Sequence, residues 1–168
     1  MQREWEHAQF LHARILELQR QRSRAIKHDR GEATDKVRQL LQLRGIGETG
    51  AWVYVNEFFG WRHFNNRKEV GAAAGLVPTP FQSGDGHHEQ GISKAGNRHI
   101  RAVAIEMAWS WLRYQPGSHL SRWFEVRFSR GGPRARKIGI VAVARKLLIE
   151  VWRFLKDGTV PEGALLKA

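Results

Sequence analysis

The sequence predicts an all-α protein: an N-terminal coiled-coil-like helix followed by a compact helical domain that contains a helix-hairpin-helix. Three observations predict this. Apolar residues recur at the spacing of one helical face in segment after segment, most strongly at Ile100, Val103, Ala104, Met107, Ala108 and Trp111. Glycine and proline fall between these segments and punctuate them. No stretch alternates apolar and polar residues well enough to read as a strand.

From Trp5 to about Ile26, the positions Ala8, Leu11, Ile15, Leu18 and Ala25 follow a heptad a/d pattern, interrupted by Arg22 at an a position. The other faces carry Arg, Gln, Glu and His, so this helix is expected either to pair with another helix or chain, or to pack as an ordinary amphipathic helix on its own domain. The polar run Lys27-His28-Asp29-Arg30-Gly31-Glu32 breaks the pattern and sets a boundary. The expected organisation is a coiled-coil-like helix over 1–30, a helical domain over 31–158 with the hairpin at about 35–60, and a tail over 159–168 that frays.

In the hairpin, Asp35 is expected to cap the first helix, whose apolar face is Val37, Leu40, Leu41 and Leu43. The second helix runs from about Glu48 to Phe59 and stops at Gly60. Between them lies Arg44-Gly45-Ile46-Gly47, where Gly45 and Gly47 can take the positive φ of a tight turn and Ile46 turns inward. Free backbone N–H groups and the positive end of the next helix would hold a phosphate oxygen without reading the base. Gly45, Ile46 and Gly47 are therefore DNA-binding candidates; the plain alternative is a connector that touches nothing.

Asn66 stands three residues before Glu69, a capping-box-like start for a short helix through Ala72-Ala73-Ala74 that Gly75 ends. Pro78 and Pro80 prevent the helix from resuming. Residues 81–96 then form the longest stretch without apolar periodicity, expected to be a functional loop. Asn97 caps the strongest helix, and Arg98 and Arg101 sit at its start, nearest the loop. After Pro116-Gly117 comes a helix with Leu120, Trp123 and Phe124, then the basic turn 130–137, and a last helix from about Ala135 to Lys156.

The chain has 168 residues, and 28 Lys+Arg against 16 Asp+Glu give a formal net charge of +12, so the expected partner is a polyanion, nucleic acid being the usual one, the alternatives for such charge being a membrane surface or mere solubility; no membrane partner is expected. A chain this long buries roughly 70% of its unfolded surface, enough for a true core. With no cysteine, disulfides and thiolate metal sites are excluded. No run is apolar enough to span a membrane, and no apolar segment follows a basic start at the N-terminus, so the expected location is the cytoplasm, of bacterial type.

The order of signals is specific: the Gly-Ile-Gly turn, Phe64-Asn65-Asn66-Arg67, Ala73-Ala74-Gly75-Leu76-Val77-Pro78, Ser83-Gly84, Gly91-Ile92-Ser93-Lys94-Ala95-Gly96-Asn97, Ile100-Arg101, and Val141 through Leu148. From about Leu40 to Leu155 this series resembles the C-terminal domain of transposases of the insertion-sequence 110/116/902 family. The resemblance implies a DNA recombinase whose full-length form joins an N-terminal RuvC-like nuclease domain, with an acidic metal-binding tetrad, to a coiled coil and a helical domain bearing an essential serine. It also implies a bridge RNA that selects the DNAs to be joined. Asp29, Asp35, Asp85 and Asp157 are scattered and do not rebuild the tetrad. The expectation is thus a portion without the RuvC-like half and not competent without it. No cofactor is expected in this chain, Mg²⁺ belonging to the RuvC-like domain.

On that resemblance Ser83 is the first choice of nucleophile and Ser93, before Lys94, the second; the alternative is that both are turn-forming serines. Lys94, Arg98 and Arg101 are the candidate phosphate clamps, with Arg67 a further DNA-binding candidate, because guanidinium groups meet phosphate oxygens with bidentate geometry. Cations are disfavoured by the dipole at a helix N-terminus, so Arg98 and Arg101 point to function. His87 or His88 could shuttle a proton. His63, His87, His88 and His99 show no metal-ligand spacing, so no metal site is expected. Tyr54 and Tyr114 lie on apolar helices and are poor nucleophile candidates.

The reading is a DNA-binding, serine-nucleophile domain acting in DNA transposition. Its partners would be DNA, bridge RNA in the full-length context, and a second copy or RuvC-like partner through the N-terminal helix. The alternative is a non-catalytic helix-hairpin-helix DNA-binding module with a coiled-coil segment for a partner protein.

Overall fold

A computed structural model describes residues 2–83 and 86–167, and of residues 80–83 and 86–90 the backbone alone. The described residues are mostly helical, as the periodicities require. Helix α1 (Gln2–His28) leads to α2 (Glu32–Leu41), α3 (Glu48–Tyr54), a π-helical turn (Val55–Phe59) and α4 (Arg67–Ala73). The strands β1 (Pro78–Ser83) and β2 (Gly86–Ile92) follow, then α5 (Arg98–Tyr114), α6 (His119–Phe128) and α7 (Gly132–Asp157).

Helix α7 is the hub and packs against α2, α4, α5 and α6. Its residues Ile140, Val143, Ala144, Leu147, Leu148, Val151 and Phe154 are buried, one apolar stripe at the period of a helix. Gly139 lets α6 approach, since a side chain there would collide with the rings of Phe124 and Phe128. Trp111 of α5 is wholly buried and its indole N–H donates to the Ser118 hydroxyl at 2.9 Å, so the largest core side chain carries no unpaired donor. Ser118 in turn caps α6 by accepting from the backbone N–H of Ser121. The Asn66 and Asn97 caps form as expected: Asn66 accepts from the N–H groups of Lys68 and Glu69, and Asn97 from that of Ile100.

Helix α1 is exposed along nearly its whole length, with Trp5 65% exposed and Phe10, Leu11, Ile15 and Leu18 also in solvent. Its C-terminal part, from Ser23 on, is anchored. Ile26 is buried, its carbonyl accepts from Arg38 at 2.7 Å, and the Ser23 hydroxyl donates to Glu48 at 2.6 Å.

The structure corrects five expectations. Asp35 does not cap α2; the helix starts at Glu32, and Asp35, inside its first turn, pairs with Arg38. The second hairpin helix does not stay α-helical to Phe59, because the turn widens after Tyr54 and the Gly60 N–H reaches the Val55 carbonyl. That wider turn lets Val55, Phe58 and Phe59 all enter the core, where Phe58 meets both Phe59 and Phe64. Gly47 has φ −96° and is extended, leaving Gly45, at φ 90°, as the positive-φ residue of the turn.

Much of the stretch expected to be a loop is strand instead: β1 and β2 pair antiparallel, from Pro78 opposite Ile92 to Ser83 opposite Gly86, and residues 93–97 return to irregular backbone. Proline is compatible with the first residue of a strand or an edge, and backbone bonds can pair a ribbon without side-chain alternation, so the polar, glycine-rich sequence has none to read.

Finally, the tail does not fray. Leu166 bridges to Leu43, the Arg44 N–H donates to the Leu165 carbonyl at 3.1 Å, and the Lys167 N–H donates to that of Gln42 at 2.7 Å. These residues satisfy the open carbonyl end of α2, a need that the local sequence of the tail does not announce.

Candidate nucleic-acid interface

The helix turn is locked into the core. A side chain on Gly45 would press on Tyr114 and the α5 backbone, and the Gly45 carbonyl accepts from the Ser110 hydroxyl at 2.7 Å. Ile46 is 1% exposed, and its carbonyl accepts from the Lys167 ammonium at 2.8 Å. Partial burial pulls the Lys167 pKa below the ordinary lysine value, against the opposing pull of Glu48. Gln115, 1% exposed, bridges turn and tail: its amide donates to the carbonyls of Arg44 and Leu165 and accepts from the Leu165 N–H. Of the three predicted turn residues, only Gly47 is open to solvent.

The base of the ribbon is held as firmly. Gly75 has φ 67° and Gly96 φ 149°, and a side chain on Gly96 would meet the backbone of Ala73 and Gly75. The Ser93 N–H donates to Val77, that of Lys94 to Gly75, and that of Asn97 to Ala73. Arg101 reaches into this knot, its guanidinium donating to the carbonyls of Lys94 at 3.2 Å and Ala74 at 3.4 Å. It therefore has a positioning duty besides any phosphate contact. Lys94, at φ 54°, projects an exposed side chain, as do Ser93, Arg98 and Arg67. His99, next to Arg98, is paired with Glu57 at 2.8 Å, which fastens the start of α5 to the π-helical turn.

Ser93, Lys94 and Arg101 thus come together at the ribbon base. Ser83 ends β1, five residues beyond Pro78, which places its backbone roughly 16 Å further along the strand direction. Its side chain, and those of His87 and His88, lie outside the described residues. Tyr54 is fully buried, its hydroxyl has no hydrogen-bond partner among the described residues, and burial raises its pKa well above the usual phenol range, so it stays protonated. No three His, Asp or Glu side chains converge as metal ligands among the described residues, and no described helix is long and apolar enough to cross a membrane.

A concave surface beside the ribbon base was not evident from the sequence. A groove of about 700 Å³ runs between α4, the ribbon base and the outer face of α7. Its cations are Arg67, Lys68, Arg134, Lys137, Arg145 and Lys146, and no carboxylate lines it among the described residues. Its apolar floor includes Leu76, Ile92, Ile138, Val141 and Ile149, with the Trp123 indole as an aromatic wall. The Lys146 ammonium stands 4.7 Å from the centre of that ring. The buried Gly71 of α4 lies directly beneath Arg145, close enough that an added methyl would sit 3.2 Å from its Nε. The signal was present in the sequence: 134, 137, 138, 141, 142, 145, 146 and 149 fall on one face of a helix, a face that joins apolar residues to cations and carries no acid.

The comparisons with known proteins agree on one family. The model of the transposase IS116/IS110/IS902 family matches residues 37–122. A putative transposase of Sinorhizobium fredii, y4rJ, is 50% identical over 129 residues, covering 76% of this chain and 32% of the relative. The transposase for insertion sequence element IS1328 of Yersinia enterocolitica is 26% identical over 158 residues, 92% of this chain and 45% of the relative. A probable family 20 transposase of Pseudomonas aeruginosa is 30% identical over 153 residues, 90% and 43%. The chain therefore spans less than half the length of these curated relatives.

Proposed function

The chain belongs to the transposase IS116/IS110/IS902 family, and on that premise we propose that it is the DNA-binding, serine-nucleophile part of a recombinase acting in transposition. The observation that carries this reading is the cationic groove between α7, α4 and the ribbon base, which no carboxylate lines among the described residues, with Lys94 and Arg98 exposed nearby. Phosphate recognition needs a field of one sign and donors free to turn outward, and this face supplies both.

In the proposed reaction the Ser83 hydroxyl oxygen attacks a DNA phosphorus. The Oγ–P bond forms as the P–O bond to the leaving deoxyribose breaks. The hydroxyl proton goes to a base, His87 or His88 being the nearest in sequence, and the leaving oxygen takes up a proton. The phosphoserine linkage keeps the bond energy for rejoining, so no nucleotide triphosphate is consumed. Arginines neutralise the developing charge on the phosphate oxygens. Bridge RNA and a RuvC-like half, with its Mg²⁺, are part of the proposal for the full-length context.

One observation favours Ser93 as a second reading of the nucleophile: it is exposed next to Lys94 at the ribbon base, where Arg101 also sits, whereas Ser83 is at the far end of β1. The test is a covalent adduct. Target DNA is incubated with the chain, a RuvC-like partner and guide RNA, and a protease-sensitive protein–DNA species is sought. Ser83→Ala should abolish it while changing stability by less than about 0.5 kcal/mol. Loss with Ser93→Ala and retention with Ser83→Ala moves the nucleophile to Ser93; no adduct from any complete mixture rejects the serine mechanism and leaves a non-catalytic binding module.

A further inference from the structure

We propose that the groove between α4, the ribbon base and α7 binds single-stranded DNA, with an unpaired base against its apolar floor and the flanking phosphates on its cations. The inference rests on the DNA-binding reading and names which form of DNA this surface takes. Six cations without a carboxylate among the described lining residues select a polyanion. The floor selects further. A duplex turns phosphates outward and keeps its bases stacked inside, so it would leave Ile138, which is 56% exposed, facing water or phosphate. An unpaired base has an apolar face free to cover that side chain and the Trp123 indole, and base–aromatic contacts tolerate any sequence.

The volume, about 700 Å³, lies within the roughly 300–1,000 Å³ of sites that enclose small organic groups, enough for a base with its sugar. A base sliding onto the Trp123 ring would push the Lys146 ammonium aside towards the adjoining phosphate, exchanging a cation–π contact for an ion pair. The described lining side chains are cationic or apolar, and none is an oxygen acceptor for a ribose 2′-hydroxyl. A ribose 2′-hydroxyl could only accept there, from the arginine and lysine donors, so the deoxy strand follows from the DNA-binding reading and oligo-U is its test.

The test uses the whole chain and fluorescence anisotropy. A labelled twelve-nucleotide oligo-dT, its abasic counterpart with the same phosphates, a duplex of the same length and oligo-U are titrated at one salt concentration. Oligo-dT should bind about tenfold more tightly than the abasic strand. Ile138→Ser, an uncharged substitution at an exposed position, should erase most of that difference, whereas Arg134→Gln with Lys137→Gln should weaken both single strands alike. An oligomer bearing 5-iododeoxyuridine should photo-crosslink to peptides from α6 and α7.

Equal binding of the abasic strand and oligo-dT, an Ile138→Ser protein indistinguishable from the parent, tighter binding of oligo-U, or crosslinks confined to other segments would each overturn the proposal. If duplex DNA still binds with a steep salt dependence in those cases, only this inference fails. If no DNA of any form binds, the reading beneath it fails too.

Discussion

Two connections in this chain are built from the same residue type and have opposite settings. Gly45-Ile46-Gly47 joins α2 to α3, and Gly75 to Gly96 frames the ribbon between α4 and α5. The first is covered: the tail, Gln115 and Ser110 take up its backbone groups, and Ile46 belongs to the core. The second is fixed at its base by backbone bonds to α4, and beside that base lies an open cationic groove. Glycine in a sequence reports a backbone requirement and says nothing of which side the solvent is on. What separates the two is the long-range partner each one meets.

The sharpest way to break the comparison is at the ribbon base. Gly96→Ala adds a methyl against the backbone of Ala73 and Gly75 at a φ of 149°, and should cost about 3 kcal/mol or more. Urea unfolding measures it, and a loss under about 1 kcal/mol would show that the base yields and is not the rigid frame described. On the other side, Gln115→Ala removes a buried amide that serves three backbone groups, with an expected loss of about 2 kcal/mol. An unchanged denaturation midpoint would mean that the tail does not seal the turn.

Within the turn the two glycines should differ. Gly45→Ala, at φ 90° and packed on α5, should cost about 1–2 kcal/mol, while Gly47→Ala, extended and in open space, should stay within about 0.5 kcal/mol. Equal effects would restore the symmetric turn expected from sequence.

Smallest in stability is Arg98→Ala, an exposed side chain whose loss should leave folding within about 0.5 kcal/mol. Duplex affinity, however, should fall for unrelated sequences alike, and the log K against log salt slope, about −5 if some six phosphates are neutralised, should become shallower by about one. A slope that does not change removes Arg98 from the interface.

The helices were legible because each carries its own evidence. Asn66 and Asn97 cap where the sequence places them, and Ile100 through Trp111 bury the predicted face. The ribbon was not legible, since a strand pair held by backbone bonds needs no side-chain alternation to mark it. The groove was half legible: the basic turn at 130–137 was visible, but Arg145 and Lys146 were read only as part of a helix, and Arg67 and Lys68 join them across a fold that sequence spacing does not reveal. Arg101 was read as a phosphate clamp, and its bonds to Lys94 and Ala74 come from a tertiary approach that no local pattern encodes.

The bridge between Leu43 and Leu166 also has a kinetic meaning. The Lys167 ammonium and the Ile46 carbonyl it meets are 121 positions apart in sequence, so the turn between α2 and α3 cannot close until residues far downstream of it exist. Loop closure over such a span is slow compared with the formation of local helices. Nascent α2 and α3 would therefore wait with an open edge, and completing this turn would be among the last events as the domain matures on or after the ribosome.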